Sequence, residues 1–320
     1  MAVYTPLTDD EIRDHLKRYA IGELRAAQGI AEGVENTNYL LDLGNRKYIL
    51  TLFEKRVKAE DLPYFMALMA WLDERGINCP KPVPDCEGNV LLMLKDKPAV
   101  IITFLDGKGV HAPKAGHMPL LGNLAARMHL AARDFPSQRA NALSFTGWHE
   151  LARTIGSRAD ELRPGLAKLI SEELSYLDRH WPMHIPKGPV HGDLFPDNVF
   201  FRDGALTGVI DFYFACDEFW MYDLAICLNA WCFDPSHQFV PGFATEMFNA
   251  YKELRPFSPE ERRTLPVLAR GAALRFLLTR SHDLLFHPKG AVVTPKDPME
   301  YVTKLDFFRK VKHPEECGLL

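Results

Sequence analysis

Residues 190–211 restrict the fold of this chain more than any other stretch, and they read VHGDLFPDNVFFRDGALTGVID. Asp203 and Gly204 stand between two apolar runs, 199–201 and 206–210. An Asp-Gly pair is typical of a two-residue hairpin turn, because both central positions of the favoured turn need positive φ. The stretch therefore predicts a short β-hairpin.

Three polar side chains surround the predicted hairpin. Counting back from the turn places Asn198 opposite Val209, so Asn198 and Asp211 share a face, because side chains alternate along a strand. Asp193 lies five residues before Asn198, in a segment that Pro196 keeps from becoming regular helix or central strand. An amide oxygen and a carboxylate are thus presented together, with a second carboxylate nearby.

Oxygen ligands in this arrangement suit a Mg²⁺ ion that keeps several waters and is completed by substrate phosphates. The spacing also resembles the protein-kinase signature, in which H-R-D-x-x-x-x-N precedes D-F-G. The first Asp there accepts the proton of the substrate hydroxyl, and the Asn and the later Asp hold metal. The matching residues here are Asp193, Asn198 and Asp211. Gly192 replaces the Arg of that signature, and HGD followed by IDF is similar to the aminoglycoside phosphotransferase-like kinases of small molecules.

Composition sets the outer limits. The 320 residues predict about two domains, and 47% hydrophobic with 25% charged residues is typical of soluble globular proteins. A net charge of -4 gives no reason to expect a nucleic-acid partner. No uncharged apolar run is long enough to span a membrane and the acidic N-terminus lacks a signal-peptide core, so we expect a cytoplasmic protein. Six scattered cysteines without a C-x-x-C pair predict reduced thiols.

The first third of the chain predicts a lobe built on antiparallel strands. Thr8 and Glu11 match a capping box, so a helix is expected to run from there to about Tyr19. Residues 26–53 predict three strands, and the loop GIAEGVENTN between the first two allows backbone N–H groups to approach a polyphosphate. The residues of this loop expected near the nucleotide phosphates are Gly33, Asn36 and Thr37.

A helix over 61–75 and a hairpin over 90–104 complete this lobe, and from Gly116 the pattern is helical nearly to the end. In kinase-like folds the segment that joins the lobes holds adenine through backbone hydrogen bonds. The candidates for the adenine edge are Thr103, Phe104 and Leu105. The expected fold class is α+β, a bilobal protein-kinase-like fold with an antiparallel-sheet N-terminal lobe at 1–105 and a larger helical C-terminal lobe at 106–320.

Several polar residues of the second lobe have both a structural and a functional interpretation. His129 is predicted to be a hydrogen-bonded structural histidine. Asp223 is explained as an acidic residue at the start of a helix, where backbone N–H groups are unpaired. Asp217 and Glu218 fall in a predicted loop after the hairpin, where a carboxylate would attract a cationic group of the substrate. Arg275, on an apolar helix, either binds a substrate carboxylate or snorkels to solvent.

Stretches along nearly the whole chain are similar to the bacterial homoserine kinases of the aminoglycoside phosphotransferase type. They include ENTNYLLDLGNRKYILTLFE, HGDLFPDNVFF, IDFYFACDEFWMYDLAICLNAWC, RFLLTRSHD and YVTKLDFFRK. The resemblance implies ATP-dependent phosphorylation of the hydroxyl of L-homoserine, with ATP and Mg²⁺ as cofactors and a place in threonine biosynthesis. It assigns proton acceptance to Asp193 and metal binding to Asn198 and Asp211. An amino-acid substrate also needs contacts for an ammonium and a carboxylate, and our hypothesis names Asp217 or Glu218 for the first and Arg275 for the second.

The chain departs from the kinase pattern at one place. Kinases carry a strand Lys that grips the α and β phosphates and pairs with a Glu on the following helix. Here Thr51 stands at the Lys position, where it remains a nucleotide-binding candidate, and the helix stretch LPYFMALM has no Glu. The Lys and the Glu are expected to be absent together, because a buried Glu carboxylate without its cation would destabilise the fold. Lys47, Lys55 and Arg56 are the nearby cations that could meet the phosphate charge instead.

Two alternatives stay open beside homoserine. The acceptor could be another small alcohol, such as an aminoglycoside, choline or a methylthio sugar. The chain could also be a nucleotide-binding kinase relative without catalytic activity, although intact Asp193, Asn198 and Asp211 argue against this. In each case the expected partners are small molecules, with no nucleic acid and no membrane; the oligomeric state is not predicted.

Overall fold

The structure is a computed structural model that describes residues 5–30, 36–54, 57–287 and 295–320. The chain divides into two compact units. The first comprises Met1–Gly107 together with Thr207–Tyr213, and the second comprises Lys108–Leu206 together with Phe214–Leu320. The sequence boundary near residue 105 lies close to the first change of unit, whereas the return of Thr207–Tyr213 to the first unit was not predicted.

A five-stranded sheet forms the centre of the first unit. Its elements are α1 (Asp9–Leu16), β1 (Ala26–Gly29), β2 (Thr37–Asp42), β3 (Lys47–Leu52), α2 (Leu62–Asp73), β4 (Leu92–Leu94) and β5 (Lys97–Thr103). The strand order is β1-β2-β3-β5-β4, and every neighbouring pair is antiparallel. The predicted antiparallel sheet of the N-terminal lobe is therefore confirmed.

Helix α1 begins where the capping box predicts. The Thr8 hydroxyl accepts a hydrogen bond from the Glu11 amide, and the Glu11 carboxylate accepts one from the Thr8 amide. The helix ends at Leu16, before the predicted end near Tyr19. Ile12 and Leu16 are buried in the same apolar cluster as the sheet residues, so the helix is held by packing as well as by its cap.

The segment Thr207–Tyr213 joins the first unit through a few backbone contacts. The Val209 amide donates to the Asn78 carbonyl at 3.0 Å, and the Asn78 side chain donates to the Thr207 carbonyl. Gly208 lies so close that a Cβ there would stand 2.7 Å from the Asn78 oxygen. Only glycine allows the backbone to come this close to Asn78, so the contact depends on Gly208, although the two residues are far apart in the chain.

The second unit is mainly helical. Its helices are α3 (Met118–Ala132), α4 (Phe145–Ile155), α5 (Ala159–Leu162), α6 (Leu166–His180), α7 (Trp220–Trp231), α8 (Pro241–Leu254), α9 (Pro259–Leu285) and α10 (Met299–Phe308). Short strands β6 (Lys187–Val190), β7 (Val199–Arg202), β8 (Ala205–Val209) and β9 (Cys216–Phe219) lie between α6 and α7 in sequence, and the end of β8 belongs to the first unit. None of the helices in the described part of the chain combines the length and apolar character needed to span a bilayer.

The predicted hairpin is present as the two-stranded sheet of β7 and β8. Both turn residues have positive φ, 52° at Asp203 and 79° at Gly204, as the favoured turn requires. A second small sheet pairs β6 with β9 in antiparallel register, with Val190 opposite Cys216. The sequence did not reveal this pairing, because each strand has only four residues and the two lie 25 or more residues apart.

Helices α3 and α8 pack closely at Gly122. A Cβ at this position would stand 2.1 Å from the Met247 carbonyl oxygen, which is backbone and cannot move aside easily. We expect Gly122→Ala to lower the free energy of unfolding by about 1–3 kcal/mol, as overpacking of a core usually does. Urea unfolding followed by circular dichroism measures the change. Gly116→Ala, at an exposed site with open space around it, is the control, and equal stability of the two variants would contradict the prediction.

Candidate active site

Asp193 and Asn198 are brought together in the loop between β6 and β7. The Asn198 side-chain nitrogen donates to the Asp193 carbonyl at 2.9 Å and to its carboxylate at 3.0 Å. The Asp193 amide in turn donates to Nδ1 of His191 at 3.2 Å. Asp193 is partly exposed, whereas Asn198 and His191 are buried. A solvent-accessible carboxylate is therefore held by buried neighbours, which is the environment that a proton acceptor for a bound hydroxyl needs.

The donor chemistry of Asn198 fits a hard cation. Because the Asn198 amide nitrogen is engaged by Asp193, its carbonyl oxygen is the end that a cation would meet. Within the described residues no three His, Cys, Asp or Glu side chains cluster to form a metal site of their own.

Asp211 lies in the first unit and has an unusual backbone conformation. Its φ is +66°, in the left-handed region that residues other than glycine rarely adopt. Two residues later, the Tyr213 ring makes edge contacts with Phe53 and Phe65, at centroid distances of 5.1 and 5.8 Å. Burial, followed by the negative charge of Asp211, raises the pKa of the Tyr213 hydroxyl. Two residues after Asp211, an aromatic side chain thus packs against α2 and against the residue that follows β3.

Thr51, at the position of the kinase Lys, is buried and belongs to the same neighbourhood. Its hydroxyl donates to the Asn38 side-chain oxygen at 2.7 Å and is hydrogen-bonded to the Tyr213 hydroxyl. Phe65 is one of the apolar residues of α2 in the stretch where kinases place the Glu. Aromatic packing and neutral hydrogen bonds therefore link β3, α2 and the segment after Asp211, where other kinases use an ion pair.

Some of the remaining phosphate-binding candidates lie outside the described residues, and the others make hydrogen bonds within the first unit. Gly33, Lys55 and Arg56 lie outside the described residues. Asn36 is buried, and its side-chain oxygen accepts from the Glu54 amide at 3.3 Å. Thr37 is also buried; its hydroxyl donates to Glu54 at 2.8 Å and accepts from the Thr5 amide at 3.1 Å. These hydrogen bonds hold the first residue of β2 to Glu54, which follows β3, and to Thr5.

The adenine-edge candidates lie at the end of β5. The Thr103 amide donates to the Lys81 carbonyl at 2.9 Å, and the Thr103 hydroxyl accepts from the Lys81 amide at 2.9 Å. Phe104 is exposed, with the Lys47 ammonium 5.8 Å from its ring centroid, and Leu105 is half-buried. Thr103 is consequently fixed by Lys81, while an exposed aromatic ring and a cation stand beside it.

Asp217 and Glu218 lie in strand β9, so their predicted position in a loop is wrong. The strand forms because Cys216 and Phe219 are buried on either side of the two carboxylates, while the backbone pairs with β6. Asp217 accepts from the Arg139 amide at 2.7 Å, and Glu218 accepts from the Asn141 side chain at 2.9 Å. Both carboxylates remain partly exposed.

Asp223 is a buried residue whose hydrogen-bond partners were not predicted from the sequence. It lies in the first turn of α7, but its side chain does not cap that helix. Its carboxylate accepts from the Gly192 amide at 2.8 Å and from the His191 amide at 3.3 Å. The interpretation as a helix-start residue is wrong because the side chain is fully packed inside the unit, where the unpaired amides of the Asp193 loop need an acceptor.

His129 is a hydrogen-bonded structural histidine, as predicted, and it supports Asp223. Its Nε2 lies 3.1 Å from the Asp223 carboxylate and its Nδ1 lies 2.9 Å from the Tyr251 hydroxyl. An ionised carboxylate can only accept, so Nε2–H donates to Asp223. Burial opposes ionisation of Asp223, but His129 and the Gly192 amide outweigh it and hold the pKa of this carboxyl below its usual value.

We expect Asp223→Asn to lower the free energy of unfolding by about 1–3 kcal/mol, the usual effect of leaving a buried donor without an acceptor. In the variant, one carboxylate oxygen is replaced by an NH₂ group. This NH₂ must face either His129 or a backbone N–H, and both of these are donors. Urea unfolding measures the loss, and Tyr251→Phe, which removes only the outer hydroxyl, should cost less. Wild-type stability of Asp223→Asn would show that the carboxylate is not needed.

The model of the phosphotransferase enzyme family matches residues 26–257 of this chain, a span that contains the Asp193 loop and Asp211. The chain belongs to this family. Homoserine kinase of Bradyrhizobium sp. (strain ORS 278) is 52% identical over 319 residues, covering 100% of this chain and 99% of that protein. Homoserine kinase of Rhodopseudomonas palustris (strain HaA2) is 51% identical over 319 residues, covering 100% and 98%.

Solved structures of other kinases share the fold at low sequence identity. The amicoumacin kinase hAmiN, in complex with AMP-PNP, Ca²⁺ and Ami, superposes with a TM-score of 0.70 at 15% identity. The match covers 95% of this chain and 92% of that one. The predicted α+β protein-kinase-like fold is thereby confirmed.

Proposed function

We propose that this phosphotransferase transfers the γ-phosphoryl group of ATP to the side-chain hydroxyl of L-homoserine, giving O-phospho-L-homoserine. The observation that carries the proposal is the 52% identity with a homoserine kinase along the entire chain. The fold alone would not separate homoserine from other acceptors, because phosphotransferases with the same fold include an amicoumacin kinase and a choline kinase. The proposal places the protein in threonine biosynthesis and in the cytoplasm.

In this reaction Asp193 orients the acceptor hydroxyl and takes its proton as the phosphoryl group is transferred. Two hydrogen bonds support this role, because Asn198 holds the Asp193 carboxylate and His191 holds the Asp193 backbone amide before substrate arrives. Asn198 and Asp211 are the proposed ligands of Mg²⁺, which, when bound, neutralises charge on the β and γ phosphates. The residues that contact nucleotide remain proposals: Gly33, Asn36, Thr37, Thr51, Thr103, Phe104 and Leu105.

An amino-acid substrate also presents an ammonium group, for which Asp217 and Glu218 are the proposed contacts. Both carboxylates are partly exposed on β9, and each keeps a hydrogen bond that orients it. A partly exposed carboxylate can exchange solvent for an ammonium group at low desolvation cost. The substrate is therefore proposed to align along β9 with its hydroxyl at Asp193.

The test combines ADP release with product identification. The purified chain is incubated with Mg-ATP and, in turn, L-homoserine, choline, an aminoglycoside and a methylthio sugar, and the products are analysed by mass spectrometry. We expect O-phospho-L-homoserine and the highest kcat/KM with homoserine. Faster turnover of another acceptor, or ATP binding without transfer to any acceptor, would overturn the proposal.

A further inference from the structure

Gly192, the residue before Asp193, has a tightly specified backbone. Its φ is +74°, and a Cβ at this position would stand 2.9 Å from the Phe214 carbonyl oxygen. Side chains are therefore disfavoured at Gly192 both by conformation and by space. The chain direction at Asp193 depends on this residue, because the two share a peptide bond.

The amide of Gly192 and the peptide that joins Gly192 to Asp193 are both held by hydrogen bonds. The Gly192 N–H donates to Asp223 at 2.8 Å. On the next peptide, the Asp193 N–H donates to Nδ1 of His191. The Gly192 carbonyl belongs to that same planar unit, so whatever holds this oxygen also fixes the plane from which the Asp193 side chain departs.

Arg275 holds that oxygen. Its Nη1 donates to the Gly192 carbonyl at 2.6 Å, from the middle of α9 and 83 residues away in sequence. Arg275 is only 3% exposed, and its guanidinium lies 4.7 Å from the ring centroid of Phe276 and 5.5 Å from that of Phe214. A hydrogen bond from a buried charged group is stronger than one in water, and a backbone carbonyl oxygen is a good acceptor for the guanidinium N–H.

We propose that Arg275 is a positioning residue that orients the Gly192–Asp193 peptide, and thereby the Asp193 carboxylate, instead of binding the substrate carboxylate. The inference refines the proposed function and applies to whichever acceptor the chain phosphorylates. It also explains why an arginine is buried on an apolar helix: the guanidinium lies near two aromatic rings and donates to a backbone carbonyl, so its charge is met inside the unit.

The two roles predict opposite kinetics. A positioning residue acts on the transition state, so its loss lowers kcat, whereas loss of a substrate contact raises KM. For Arg275→Gln we expect kcat to fall by about 10–100-fold, the effect of a small misplacement of a reacting group, while KM for homoserine changes much less. Arg275→Lys should recover part of kcat, because an ammonium group can still donate to the Gly192 carbonyl.

The deciding quantity is the fold-decrease in kcat divided by the fold-increase in KM for homoserine. A ratio above one supports positioning, and a ratio of one or less overturns it. Both variants are first checked for folding by circular dichroism, and if Arg275→Gln is unfolded, Arg275→Lys is judged by the same ratio. Arg263→Gln, which removes an exposed arginine of the same helix, is the control and should leave both constants near wild type.

An acceptor without a carboxylate gives an independent measurement. 3-Aminopropan-1-ol keeps the hydroxyl and the amine of homoserine, and positioning predicts that Arg275→Gln lowers kcat for both acceptors by a similar factor. If only the homoserine reaction is impaired, Arg275 contacts the substrate and the inference is wrong. Failure of the proposed function would instead appear in the wild-type chain, as absence of homoserine phosphorylation, and the comparison would then use its actual acceptor.

Discussion

Asp193→Asn is expected to reduce kcat for homoserine by about 10²–10⁴-fold, the contribution usually made by a positioned proton acceptor. The amide has nearly the shape of the carboxylate, so the hydrogen bond with Asn198 can re-form with the amide oxygen. What is lost is the capacity to take a proton from the attacking hydroxyl. Steady-state ADP release with saturating Mg-ATP and homoserine measures the change.

Two controls separate this loss from a loss of structure or of nucleotide binding. Asp197→Asn changes an exposed carboxylate of the same loop, whose partner Lys296 lies 3.2 Å away, and should retain wild-type kcat. The Kd for ADP, measured by calorimetry, should be similar for wild type and Asp193→Asn. A kcat for Asp193→Asn within a few-fold of wild type would show that Asp193 is not the proton acceptor.

Arg270→Met should lower the free energy of unfolding by about 3–5 kcal/mol, because it leaves a buried carboxylate without its main cation. Arg270 on α9 makes a two-pronged contact with Glu173 on α6, with Nε···Oε1 at 2.5 Å and Nη2···Oε2 at 2.7 Å. The Glu173 side chain has no exposed surface, and the only other cation near it in the described structure is Arg309, whose Nε lies 3.6 Å away. Urea unfolding of the full chain measures the loss.

A double variant tests the physical reason. If the cost comes from the uncompensated charge, removing it as well in Glu173→Leu/Arg270→Met should restore much of the stability, because an apolar pair of similar volume can replace a buried ion pair. Glu172→Gln, which alters the half-exposed neighbouring carboxylate on α6, should change stability by less than about 1 kcal/mol. If the double variant is less stable than Arg270→Met, the loss of stability comes from lost packing and not from the uncompensated charge.

The features that the sequence predicted correctly are those set by neighbours in the chain. The capping box of Thr8 and Glu11 and the turn at Asp203 and Gly204 each depend on a few consecutive residues and their allowed φ values. The hydrogen bonds between Asn198 and Asp193, which were not predicted, are also local, since five residues separate the two. Helix and strand periodicity located α2, α3 and the sheet of the first unit for the same reason.

Strand β9 and the role of Asp223 were not predictable in this way. The four residues of β9 have no distinct alternation, and they form a strand only because β6 lies alongside. Asp223 has the sequence position of an ordinary helix-start residue, yet it accepts hydrogen bonds from residues 191 and 192. An acidic residue early in a fully buried helix was the available signal, because buried carboxylates require donors.

Residue types and short spacings thus determined which groups make up the candidate site: a carboxylate, an amide oxygen and a hairpin, which the chain carries in one continuous stretch. Tertiary packing determines which residues hold these groups in position. His129 meets Asp223 across 94 residues, and Arg275 meets Gly192 across 83. Which buried donor finds which acceptor depends on how α3, α7 and α9 come together around the Asp193 loop, and no local preference encodes that choice.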